Sequence, residues 1–323
     1  MAKIEEKVKN IAENIETMEI RGAGKIARSV ARGLKIQAEN SKANNAEEFY
    51  DEMIDTTKIL YNTRPSAVSL PNALRHVMNE VRTVKKRQAS LEELRNTTIN
   101  SAEEFIKNSN EAVKEIGRIG ANRIQEKEVI MTHCHSSAAT SVIRKAHKEG
   151  KIEKVYVKET RPRYQGRITA QELAETGMQV ELIVDGAARH FMKKVDKVII
   201  GADSIAANGA VINKIGTADL GLVADEQGSL LMVAAETYKF HPETISGEMI
   251  KIEERDIEEV VPEDIRKDFP ENLKIRNPAF DALPPEYINV IVTENGIIPP
   301  QSAPLILRDA FGWKIKRKEP WET

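Results

Sequence analysis

The chain has 323 residues, 41% of them apolar and 30% charged, and 48 basic against 50 acidic side chains give a net charge of −2. That length holds one large or two ordinary domains with real cores, and the composition excludes a disordered chain. The near-balance of charge, with no concentrated basic stretch, argues against nucleic acid as the main partner, and no run approaches the roughly 20 apolar residues of a membrane-spanning helix.

The opening segment, MAKIEEKVKNIAENIE, has no apolar stretch behind its charges, so no signal peptide is expected. Ile4, Val8, Ile11 and Ile15 recur at helical spacing instead. Further helical patterns cover 46–61, 69–86 and 91–119. Two loop signals interrupt them: Arg21-Gly22-Ala23-Gly24-Lys25, and Asn62-Thr63-Arg64-Pro65-Ser66. From about residue 121 short apolar runs alternate with helical stretches. The pattern predicts strands at 129–132, 155–158, 180–184, 197–201, 230–234 and 290–293, with helices at 137–147, 169–176, 187–193 and 218–225 between them. The division expected is a helical domain over 1–120 and an α/β domain with a mainly parallel sheet over 121–323. In such sheets ligands bind beyond the carboxyl ends of the strands.

Three polar loops are predicted at such ends. The first runs from Thr132 to Ser137 and carries His133, Cys134, His135 and Ser136 into a helix. Backbone N–H groups at a helix N-terminus bind phosphate and favour thiolate, so the thiol is expected to titrate below its usual value of about 8.5. Cys134 is the only cysteine, which excludes an internal disulfide and fits a reducing cytoplasm. Adjacent residues of an extended segment face opposite ways, so His133-Cys134-His135 does not read as a metal site, and no metal or redox cofactor is expected. The second loop, 159–166, holds Arg161, Arg163 and Gln165 around Pro162 and Gly166, a shape suited to phosphate. The third places Asp203 directly after an apolar strand, where catalytic carboxylates and helix caps both sit. It is followed by the turn Asn208-Gly209 and by Asn213-Lys214-Ile215-Gly216-Thr217, with Thr217 expected to cap a helix and Lys214 available to a phosphate. The Arg21–Lys25 segment lacks P-loop spacing and does not follow a strand, so nucleotide hydrolysis is rejected.

RGAGKIA, NTRPSAVSLPNAL, THCHSSAAT, ETRPRYQGRITAQEL, GADSIAANGAVINKIGT and FDALPPEYINVIVTENGIIPP occur in this order. Together they resemble one superfamily over residues from about 4 to 312. It joins methylthioribose-1-phosphate isomerases, ribose-1,5-bisphosphate isomerases and the regulatory subunits of initiation factor 2B. The resemblance implies a helical N-terminal domain followed by a Rossmann-like domain, and a homodimer or higher homo-oligomer, up to a hexamer. The isomerases of this family carry a Cys in the first loop and an Asp in the third, and both stand here. The methylthioribose enzymes usually read RGAPAI where this chain has RGAGKI, and PxSTFD near Glu236-Thr237-Tyr238-Lys239-Phe240. Lys25 and Lys239 are therefore extra cations, and the chain most resembles the archaeal ribose-1,5-bisphosphate isomerases. The implied activity is conversion of ribose 1,5-bisphosphate to ribulose 1,5-bisphosphate in AMP and nucleoside salvage. Cys134 and Asp203 would move the protons, with Asp203 starting protonated. Arg21, Gly22, Ala23, Gly24, Lys25, Arg64, His135, Ser136, Ser137, Asn213, Lys214 and Lys239 would bind a sugar bisphosphate, with Arg161 and Gln165 shaping the site. The Lys- and Glu-rich composition resembles that of thermophile surfaces.

Overall fold

The computed structural model describes residues 4–64, 68–247, 250 and 252–311. Pro65 and Ser66 of the second loop signal lie outside the described residues.

The chain begins with α1 (Glu6–Glu16), α2 (Ala23–Asn40), α3 (Ala46–Asn62), α4 (Ser69–Lys86) and α5 (Leu91–Ala121). Local signals set their starts. Asn45 accepts from the Glu48 amide at 2.9 Å and Ser90 from the Glu93 amide at 3.1 Å, satisfying donors that a helix cannot pair internally. The apolar faces follow helical spacing: Val8 and Ile15 on α1, Ile26, Val30 and Leu34 on α2, and Val77 and Val81 on α4 close into one core. The Arg21–Lys25 segment, expected to be a loop, is one only as far as Gly22. Gly22 stands at φ +89° before α2, and Gly24 and Lys25 already lie in its first turn.

Strands and helices then alternate: β1 (Glu128–Thr132), α6 (Ser137–Lys148), β2 (Ile152–Lys158), α7 (Gln165–Ala174), β3 (Val180–Ile183), α8 (Ala188–Met192), β4 (Lys197–Ile200), β5 (Ser204–Ile205), β6 (Val211–Lys214), α9 (Thr217–Gln227) and β7 (Leu230–Ala234). After a short helix, α10 (Glu263–Arg266), come β8 (Phe280–Leu283), β9 (Val290–Thr293), β10 (Gly296–Ile298) and α11 (Ala303–Phe311). Among the described residues the main sheet runs β10-β9-β7-β4-β1-β2-β3, parallel except for β10. The fold is thus α/β, a helical N-terminal region followed by a Rossmann-like, mainly parallel sheet. All four residues of β4 are buried, as a strand covered on both faces requires. Helix α5 docks on α6 through Gly117 and Gly120. A Cβ added at these would lie 2.2 Å from Ser141 Oγ and 2.6 Å from a Val142 methyl, so only glycine admits this approach.

Two features differ from the sequence expectation. A second sheet, β5-β6-β8, hangs beside the first. The Asn208-Gly209 turn does join β5 to β6, but nothing local foretells that β8, some 66 residues on, completes the sheet. Helix α7 starts at Gln165 rather than 169, because the chain turns at Tyr164 in a left-handed conformation. Among the described residues no helix is long and apolar enough to cross a membrane.

Candidate active site

Omitting the antiparallel edge, the sheet reads β3-β2-β1-β4-β7-β9, so the winding direction reverses between β1 and β4. A crevice opens at that switch point, beyond the strand ends. Cys134 follows β1 and Asp203 follows β4, which puts the two on its opposite lips.

Three side-chain hydrogen bonds tie down the first loop. Thr132 Oγ1 donates to the Ile199 carbonyl at 2.7 Å, tying the end of β1 to β4. The Cys134 amide donates to Thr160 Oγ1 at 2.9 Å, and its carbonyl accepts from Thr169 Oγ1 at 2.8 Å. Cys134 stands at φ +65°, and Thr160 and Tyr164 nearby at +64° and +58°. Such conformations cost a non-glycine residue roughly 1–2 kcal/mol each, and strain of this kind concentrates at functional sites. This corrects the picture of an extended His133-Cys134-His135: the left-handed twist buries His133 while His135 stays exposed. Ser136 accepts from the Ala139 amide and caps α6. Its hydroxyl lies against Gly201, where a Cβ would come within 2.2 Å of Oγ and 2.5 Å of Ser136 Cβ.

Across the crevice, the Asp203 amide donates to the Ile212 carbonyl at 2.9 Å, so the β5–β6 hairpin fixes Asp203 and delivers Asn213 and Lys214 beside it. Thr217 does not cap α9 as expected. Its hydroxyl donates back to the Lys214 carbonyl at 2.6 Å, and Gly216, at φ +90°, precedes the helix. The capping acceptor is Asp281 on β8, which takes the Gly216 and Ala218 amides at 2.7 and 3.2 Å.

The cleft so formed has a volume of about 290 Å³. It collects Cys134 and Asp203 with Arg21, Gly22, Ala23, Gly24, Lys25, Arg64, His135, Ser136, Ser137, Gln165, Asn213, Lys214 and Lys239. Arg161 is the exception. Its guanidinium bonds the Tyr164 hydroxyl at 2.6 Å and the Val260 carbonyl at 3.1 Å, away from the cleft. The sequence reading missed Met18, Arg28, Ile168, Arg255 and Phe280. Arg28 had a signal, since it lies one helical turn beyond Gly24 on the face that carries Lys25. Arg255 had none: it comes from an irregular segment, held by Glu259 at 2.5 Å.

Among the described residues seven cationic side chains line this space, Arg21, Lys25, Arg28, Arg64, Lys214, Lys239 and Arg255, against one carboxyl group, Asp203. They are not equally mobile. Lys25 is exposed, whereas Lys239 is 5% exposed and paired with buried Glu236 at 2.8 Å. Burial opposes charge on Glu236, but Lys239 and the Tyr238 hydroxyl outweigh it and hold the carboxyl below its ordinary value. Arg64 is paired with Glu253 at 2.9 Å, and Phe280 lies 4.7 Å from Lys214 Nζ. Burial lowers the Lys214 pKa, opposed by Cys134 and Asp203.

Contrary to the expected thiolate, burial pushes the Cys134 thiol up to about 11. Lys214 pulls it down, and Asp203 and Asp185 add to the rise. The helix N-terminus that was to favour thiolate is occupied by its own Ser136 cap. His133, buried beside Lys158, is pushed down to about 3 and is neutral.

A family model described as the Initiation factor 2 subunit family matches residues 19–300. The chain belongs to that family. It is 59% identical over 321 residues to a ribose 1,5-bisphosphate isomerase of Pyrococcus furiosus, with 99% of both chains covered. It is 58% identical to the enzyme of that name from Thermococcus kodakarensis, with all of both chains covered. A solved translation initiation factor eIF-2B from Pyrococcus horikoshii superposes with a TM-score of 0.77 at 32% identity, covering 92% of this chain and 98% of that one. The family thus spans enzymes and translation-factor proteins on one fold, and the relatives at high identity are isomerases.

Proposed function

We propose that this chain is a sugar-phosphate isomerase that converts ribose 1,5-bisphosphate to ribulose 1,5-bisphosphate. The observation that carries the reading is a thiol and a carboxyl group set in a cleft that gathers seven cations among the described residues. Phosphate groups each bring nearly two negative charges, and a substrate with one at each end matches a cleft whose cations come from several separate segments of the chain. The names of the relatives at 58–59% identity support the same substrate.

In the proposed mechanism Asp203 gives a proton to the ring oxygen as the bond from that oxygen to carbon 1 breaks. Cys134, as thiolate, takes the proton from carbon 2, and the electron pair forms the carbon 1–carbon 2 double bond of an enol phosphate. Cys134 then returns its proton to carbon 1, and Asp203 accepts the carbon-2 hydroxyl proton to leave the ketone. Each residue ends as it began, so the chemistry balances with these two groups alone. A thiol at about 11 makes thiolate a minority form at neutral pH but a stronger base once formed. Buried Lys214, across the cleft, is the cation that favours that form. Participation in AMP and nucleoside salvage and assembly into a homo-oligomer belong to the same proposal.

The test is to offer the protein ribose 1,5-bisphosphate and methylthioribose 1-phosphate side by side. The reading expects the ketose bisphosphate to form faster. Preference for the methylthio sugar contradicts the substrate, and no turnover of either contradicts the activity.

A further inference from the structure

Three buried or half-buried titratable groups with no part in this chemistry converge on one turn. Residues 215–216 link β6 to α9, directly after Lys214, and Ala218 lies in the first turn of that helix. His133, from the end of β1, donates from Nε2 to the Ile215 carbonyl at 2.9 Å. Lys158, from the end of β2, donates to the Gly216 carbonyl at 3.0 Å. Asp281, from β8, accepts the Gly216 and Ala218 amides through Oδ2, while its Oδ1 is buried with no hydrogen-bond partner. The fit is close: a Cβ on Gly216 would lie 3.4 Å from Lys158 Nζ and 3.7 Å from the His133 ring. His133 is 1% and Lys158 2% exposed. Burying an ammonium is costly, and a buried polar group is often better explained by the geometry it specifies than by stability. The same cluster reaches back to the thiol. His133 Nδ1 lies 3.3 Å from Thr160 Oγ1, which accepts the Cys134 amide. One chain of contacts therefore runs from the Cys134 backbone to the turn behind Lys214.

We propose that His133, Lys158 and Asp281 are positioning residues that pin the β6–α9 turn and the start of α9, and so hold Lys214 facing Cys134 across the cleft. This rests on the reading of Cys134 as a reacting group. Its test reads the thiol directly, so it stands or falls apart from the choice of substrate. Cys134 is the only cysteine in the chain, and iodoacetamide labels it in proportion to its thiolate. The charges acting on it are Lys214, which favours thiolate, and Asp203 and Asp185, which oppose it.

The decisive variant is Asp281→Asn, nearly isosteric. Loss of a negative charge by itself speeds labelling, whereas displacement of Lys214 slows it. The proposal expects labelling at pH 8 to slow roughly three- to tenfold, a shift of about half to one pH unit. It also expects Lys214→Met to slow labelling, and Asp281→Asn to slow it no further in the Lys214→Met background, because the two act through one group. Labelling of Asp281→Asn at or above the parent rate, or an equal further slowing in the Lys214→Met background, overturns it. Should Asp281→Asn fail to fold, Lys158→Met carries the same double-variant test, and slowing that adds fully to that of Lys214→Met overturns the proposal.

Discussion

Of the cavities that open where the N-terminal helices meet the α/β region, two share a wall at Tyr238 and Lys239, and the larger of this pair is not the proposed site. It holds about 430 Å³ and is walled by His76, Phe105 and Tyr238 with Glu111, Glu115 and Glu294, and no Lys or Arg lines it among the described residues. The smaller cleft reverses that balance, with seven cations and one carboxylate. A phosphate entering the larger space would meet like charge. Charge, not size, separates the two. The cavities share a partition. The Tyr238 hydroxyl bonds Glu236 Oε1 at 3.0 Å and lies 3.1 Å from Ser109 Oγ, which accepts from Arg28 at 3.1 Å. Two cations of the cleft, Lys239 through Glu236 and Arg28 through Ser109, are thus braced from the acidic side.

The sharpest way to break this contrast is at the carboxylate. Asp203→Asn keeps the shape and loses the proton, so turnover is expected to fall by a few orders of magnitude while the melting temperature moves by only a few degrees. A matching loss of fold would make Asp203 a structural residue. A smaller effect is expected from Gly201→Ala. Its Cβ would lie 2.2 Å from Ser136 Oγ, so the Cys134 loop must move relative to β4. Misplacement on the ångström scale costs about a hundredfold in rate, and kcat near the parent value would show that the loop yields freely.

Smaller again are the cations, which grade the two cavities against each other. Lys239→Ala is expected to weaken ribose 1,5-bisphosphate binding by about 1.5–3 kcal/mol, as it also strands buried Glu236. Lys25→Ala, exposed at the cleft mouth, should weaken it less, and Glu111→Gln in the acidic cavity should leave it within twofold. Calorimetric titration of the three variants checks the order, and a Glu111→Gln effect as large as that of Lys239→Ala would place the ligand in the other cavity.

Much of the site was legible because chemistry-bearing residues follow short apolar strands. That pattern located Cys134 and Asp203, and the strand order then explains why they meet. The seam of β1 and β4 gathers segments 69 residues apart that no local pattern connects. What was not legible arises from long-range pairing. Asp281 replaces Thr217 as the cap of α9 because β8 pairs with β6, and Arg255 reaches the cleft from a segment without periodicity. Arg161 was drawn into the site by its motif, but the exposed Tyr164 hydroxyl and Val260 carbonyl hold it outside. The helix N-terminus after Cys134 is visible in the sequence, whereas the burial that is the larger influence on its thiol arises from tertiary packing.

The central claim is that Cys134 moves the carbon-bound proton. Cys134→Ser preserves size and hydrogen bonding but not acidity, and rate measurements with ribose 1,5-bisphosphate beside a binding titration test it most directly. The account predicts affinity close to that of the parent with turnover lower by a few orders of magnitude. Turnover near the parent rate would contradict it and leave Cys134 a packing residue.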